Sequence, residues 1–136
     1  MAEGFTGEIR MVSFNFAPTG WALCDGQLLP LSQNQQLFSL LGTTYGGDGE
    51  STFALPDFRS RGPMHQGQGP GLSNRVIGET GGNEQEQLPY SVAEVPQQPS
   101  NPTVVNYVRG GLPMSLMPPF LVVNFIICLG GVFPQR

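Results

Sequence analysis

Trp21-Ala-Leu-Cys-Asp-Gly-Gln27, Leu31-Ser-Gln-Asn-Gln35, Gly42-Thr-Thr-Tyr-Gly-Gly-Asp-Gly49 and Thr52-Phe-Ala-Leu-Pro-Asp-Phe-Arg59 follow one another within a single stretch of the chain. Short apolar runs alternate there with glycine and aspartate punctuation, which predicts short strands joined by tight turns around one helix. Asp25-Gly26 separates Trp21–Cys24 from Gln27–Leu31 and supplies the positive φ of a two-residue hairpin turn. Ser32 to Leu41 reads as the helix: Ser32 as N-cap, Gln35 reaching back to it, Leu37, Leu40 and Leu41 as the apolar face, and Gly42 as the C-terminal stop. At about three turns it needs packing to hold it, and the preceding hairpin is the expected platform. Gly46-Gly47-Asp48-Gly49 is incompatible with regular structure, and Ser51–Leu55 follows as a short strand ended by Pro56-Asp57.

Upstream, Ile9 and Met11 alternate in one register while Val12, Phe14 and Phe16 follow in the other, which predicts a strand over Glu8–Phe16 with a bulge near Met11–Val12. Downstream, Gly67-Gln-Gly-Pro-Gly71 is a further backbone-rich turn. This glycine density is no phosphate loop, because it lacks Gly-Lys-Ser/Thr, a following long helix and a parallel β-α-β pattern. From Gly81 to Pro119 glutamines and prolines dominate, with one candidate strand at Thr103–Val108, and an extended arm is expected. Phe120 to Leu129 is β-branched and aromatic and apolar on both faces, so it has to be covered on both sides. With few other apolar runs available, burial between subunits is the expected cover.

The chain has 136 residues, the size of one domain. Only 12% of them are charged, the net charge is −4, and the basic residues are six scattered arginines. No basic face exists to neutralise phosphates or an anionic leaflet, which argues against nucleic-acid and membrane-surface roles. The longest apolar run is about half of what spans a bilayer as a helix, so no membrane insertion is expected. The N-terminal Met-Ala-Glu-Gly-Phe-Thr-Gly-Glu has neither a basic region nor an apolar run, predicting no secretory signal and synthesis in the cytoplasm.

Among these residues, Gly7 to about Gly82, together with Pro119-Phe-Leu-Val-Val-Asn124 and Gly131-Val-Phe-Pro134, closely resembles the phage tail collar family, whose bacterial members are called microcystin-dependent proteins. The resemblance implies an intertwined homotrimer at the end of a tail fibre or on a related phage-like particle, released by lysis or carried on that particle. Its implied partners are sister copies, other tail or particle proteins, and a cell-surface glycan or protein receptor. Many relatives carry an Ala-x-Met-Pro-x-His-x-His segment that holds an axial metal ion. Here the stretch reads Ala93-Glu-Val-Pro96-Gln-Gln98-Pro-Ser100, and no metal site is carried over.

The expected fold is therefore mainly β with one short α-helix: a collar-like domain over 1–82, a Gln/Pro-rich arm over 83–119, and a C-terminal strand over 120–136 completing the core or a trimer interface. Phe120, Val122, Phe125, Ile127 and Phe133 are the candidate interface residues. Tyr90, Tyr107 and Arg109 fall in the arm, where the core does not use them, and are the candidate binding residues; stabilising the trimer is their alternative role.

Chemistry is sparsely supplied. One histidine, His65, and two cysteines, Cys24 and Cys128, fall short of a closed zinc site. Both cysteines read as small buried thiols, with a bridge between first and last strands as the alternative. Asp25, Asp48 and Asp57 occupy turn positions that aspartate favours for backbone bonding, His65 reads as a hydrogen-bonded surface residue, and Trp21 reads as core. No catalytic residue and no cofactor is expected. The alternatives are a small enzyme or effector using a Cys24–His65 dyad or the turn aspartates, and a phage-derived protein with a new cytoplasmic partner.

Overall fold

The computed structural model describes residues 3–87 and 113–136. Residues 1–80 with 121–136 form one compact unit and residues 81–120 a second. The described residues are mainly β, with small antiparallel sheets and a short α-helix. No helix among them is long and apolar enough to cross a membrane.

In the first unit the C-terminal strand β9 (Asn124–Cys128) lies between β1 (Ile9–Val12) and β2 (Trp21–Leu23), antiparallel to both. A strand bonded along both edges and packed on its faces needs no polar alternation, which accounts for its apolar run. Its one polar residue, Asn124, starts the strand and donates its side-chain amide to Phe14 O at 2.9 Å. Ile126, Ile127 and Cys128 are buried by the rest of their own unit. Of the two covers expected for the segment, core or trimer interface, this part of the ribbon has the first: β1 and β2 satisfy its edges, and the core of its own unit covers it.

The pairing of β1 is one-to-one, from Ile9 opposite Ile127 to Val12 opposite Asn124, so the strand has no bulge. The change of apolar phase marks its end. Phe14 and Phe16 lie beyond it, with ring centroids 4.9 Å apart.

The Asp25-Gly26 hairpin is also corrected. β2 pairs with β9, whereas β3 (Leu28–Pro30) pairs with β4 (Thr52–Ala54), so the dipeptide carries the chain from one sheet to another. Gly26 does adopt a positive φ of 77°, and a Cβ there would come within 3.2 Å of the Asp57 side chain. Asp-Gly specifies the backbone conformation; which strands it connects is set by their partners.

The helix is shorter than expected. Leu31–Gln33 forms one 3-10 turn, and α1 runs over Gln35–Leu41 after an interruption at Asn34 (φ −137°, ψ 42°). Ser32 is not its cap. Asn34 occupies that position and turns its amide back to Pro30 O at 3.0 Å, leaving the helix without a side-chain cap. Gly42 ends α1 as anticipated, with φ 56° and its N–H on Phe38 O.

The core unites both sheets and the helix: Ala22, Cys24, Leu37, Phe53, Leu55 and Ile127, with Phe38, Leu41, Phe58 and Phe125 packed against it. Phe38 meets Phe53 at 5.5 Å between centroids. α1 thus rests on β4 through Phe38 and Phe53, with Leu37 in the shared core, and Leu40 is exposed.

The 42–55 segment is a structural turn. Ala54 N–H donates to Gly46 O and Gly49 N–H to Thr52 O, folding the glycine loop back on β4. Farther on, β5 (Gly67–Gln68) and β6 (Asn74–Arg75) form a small hairpin. In the second unit β7 (Gln85–Gln87) pairs with β8 (Pro113–Ser115), with Pro113 at the strand's first position, where its missing N–H is tolerated. The candidate strand Thr103–Val108 and the Ala93–Ser100 segment lie outside the described residues.

Candidate binding and assembly surface

The interface candidates divide by where β9 enters its sheet. Phe120 (69% exposed), Leu121 (87%) and Val122 (78%) precede the strand and stand in solvent. Phe125 stacks on Phe58 at 4.3 Å, and Ile127 has no accessible surface, so both serve the chain's own core. Phe133 is exposed beyond the strand. The chain ends meet there: Phe5 bridges Val132, Thr6 N–H donates to Val132 O, and the buried Thr6 hydroxyl accepts from Gly131 N–H at 3.0 Å. Phe5, Val132 and Phe133 present apolar side chains along this junction. The binding candidates Tyr90, Tyr107 and Arg109 lie outside the described residues.

The β5–β6 hairpin owes its shape to Gly69-Pro70-Gly71-Leu72. Leu72 N–H donates to Gly69 O, Pro70 presets the first central position and Gly71 (φ 73°) takes the second, which is a type II turn. The Gln68 side chain donates to Leu72 O, tying the loop across. After β6, Glu79 accepts from Val76 N–H at 3.1 Å and faces the Arg75 guanidinium at 3.5 Å. Met64, Leu72, Val76 and Ile77 are all largely exposed. This surface was missed in the sequence because isolated apolar residues in a glycine-rich stretch carry no periodicity. Their size amid small neighbours was the available signal. A depression of about 370 Å³ lies on the hairpin between Met64 and Arg75. Another, of about 300 Å³, lies between the 32–36 turn and Leu129–Gly130.

The chemically suggestive side chains have structural surroundings. Burial, with the Asp25 carboxylate adding to it, pushes the Cys24 thiol up to about 12. Burial also raises Cys128. Both thiols are free. Cys24 N–H bonds Phe125 O while Cys128 sits opposite Trp21, an offset of about 10 Å along the strands at ~3.4 Å per residue, whereas a disulfide requires Cα atoms within about 7 Å.

His65 is exposed, its Nδ1 2.6 Å from Gln66 O. Cys24 lies in the core with its thiol pushed up by burial, the opposite of what an activated nucleophile needs. Asp48 accepts from the backbone N–H groups of Glu50, Ser51 and Thr52, each at 2.9 Å, and from the Ser51 hydroxyl at 2.8 Å. These bonds hold its carboxyl far below the usual range. Asp57 is held down to about 2, first by the Arg59 guanidinium and then by the Arg59 N–H. Asp25 and Asp57 form an isolated backbone bridge. Trp21 is half-buried, with the Arg10 guanidinium 4.9 Å over its ring.

Comparison with protein families matches residues 7–63 to the model of the phage tail collar domain. No curated protein matches the chain.

Proposed function

Because residues 7–63 carry a phage tail collar domain, a module of structural and tail-fibre-like character, we propose that this protein is a non-enzymatic component of a phage tail or tail-like particle. In this role it assembles as a homotrimer and either binds a cell-surface glycan or protein or caps the particle. The collar match carries the proposal. Support comes from apolar side chains left in solvent by the single chain, at Leu121 and Val122 before β9 and at Phe5, Val132 and Phe133 where the chain ends meet. Contiguous exposed apolar surface marks sites of association. Phe120 belongs to the same exposed run, and Tyr90, Tyr107 and Arg109 remain the receptor-facing candidates of the 83–119 segment.

Light scattering on the eluting peak of the purified chain tests the assembly. A mass of three protomers is expected, with Val122→Glu and Phe133→Glu shifting it toward one. A wild-type chain that stays monomeric at micromolar concentration refutes the trimer. Adsorption of the labelled oligomer to bacterial cells tests the adhesive role.

A further inference from the structure

We propose that the depression on the β5–β6 hairpin binds an acidic sugar, a saccharide unit carrying a carboxylate. In a chain of net charge −4, the depression is walled by no acidic side chain: its ionisable residues are His65 and Arg75, beside the Ser73 hydroxyl. Gly67 and Gly69 line it, and a Cβ at Gly67 would meet nothing within 4 Å, which leaves the depression open on that side, whereas Gly69 is already covered by the Leu72 side chain. Met64 (73% exposed) and Leu72 (68%) stand at its rim. Its volume of about 370 Å³ falls at the small end of ligand sites, on the scale of a sugar unit and not of an extended chain.

The polar groups are poised for an anion. The His65 Nδ1 lies 2.6 Å from Gln66 O, and since a carbonyl only accepts, Nδ1 carries the proton and fixes the ring, leaving Nε2 for a ligand hydroxyl. Arg75 engages Glu79 through one terminal nitrogen at 3.5 Å, leaving the rest of its planar fork outside that pair. The fork matches a carboxylate in two parallel hydrogen bonds. The Glu79 carboxylate beside Arg75 repels a doubly charged phosphate more than a singly charged carboxylate. The Met64 and Leu72 side chains then meet the C–H face of the ring, and the Ser73 hydroxyl meets its hydroxyls.

This inference rests on the adhesive role for its biological use, and one set of measurements separates the two. The full chain is titrated by NMR with galacturonic acid, with galactose as the neutral control and with glucose 6-phosphate. The uronate is expected to shift the amides of Gly67, Gly69, Ser73 and Arg75 while galactose leaves them in place. Arg75→Gln should weaken the uronate by roughly ten- to a hundredfold, as expected for loss of a charge-assisted bond. His65→Gln, which leaves the Arg75–Glu79 turn intact, should weaken it several-fold. Equal response to galactose, shifts confined to other residues, or binding of the phosphate sugar alone overturns the assignment. Wild-type adsorption to cells without any uronate response likewise overturns the site, whereas absence of adsorption with a uronate response removes only the adhesive role.

Discussion

Replacing Gly47 with alanine tests the close approach on which the core depends. Gly47 has φ 91°, and a Cβ built there falls on the Phe53 Cα, 2.7 Å from Thr52 O and 2.9 Å from Phe53 N. Those atoms are the backbone of β4, and the Phe53 side chain is fully buried, so no flexible group can yield. The backbone conformation alone costs about 1–3 kcal/mol for a residue with a Cβ. Displacing packed structure adds about 1–3 kcal/mol. The expected loss is therefore about 2–6 kcal/mol, a large part of the ~5–15 kcal/mol that holds a typical domain. Gly42→Ala is the control: its φ is 56°, but a Cβ there meets nothing within 4 Å, so only the conformational cost of about 1–3 kcal/mol applies. Urea unfolding followed by Trp21 fluorescence, at one fixed protomer concentration, reads the difference as a midpoint about 1–3 M lower for Gly47→Ala than for wild type. If Gly47→Ala proves no more destabilising than Gly42→Ala, the steric reasoning fails.

Acid should unfold the chain over a defined window. The folded-state value of Asp57 is depressed from 3.8 to about 2, so its stabilising contribution is fully present above about pH 4 and lost as pH falls through about 2. Asp48 acts in the same direction. Circular dichroism from pH 6 to 1.5 should show this loss in the wild type, and Asp57→Asn should flatten it; an unchanged profile contradicts the ion-pair account. The thiols give a third test. Cys24 and Cys128 should react with a thiol reagent at pH 8 only slowly in the native chain and fully in urea, with equal titres before and after reductant. Rapid native labelling, or fewer thiols without reductant, contradicts the buried, unbridged pair.

Several turns were legible from local chemistry. Gly42 after α1, Pro70-Gly71 in the hairpin and Asp48 bonding the backbone ahead of it all follow from what those residue types do within a few positions of themselves. The two-sided apolar character of the last strand was legible too. The helix N-terminus was not, because Asn34 broke the expected capping pattern with a bond to Pro30. Nor was the hairpin surface around Arg75, which depends on Glu79, Gln66 and the lining glycines meeting in space.

Composition and punctuation by themselves determined a β-rich chain with one short helix and tight glycine turns, since each is set by local backbone preference, while the order of the motifs carried the resemblance to the collar family. Partnership was decided only by the tertiary structure: β2 with β9 instead of β3, Phe53 beneath α1, and Ile127 inside its own chain while Val122 stays in solvent. Strand pairing and burial are contacts between distant residues, and an apolar run records that it needs cover without recording which segment provides it.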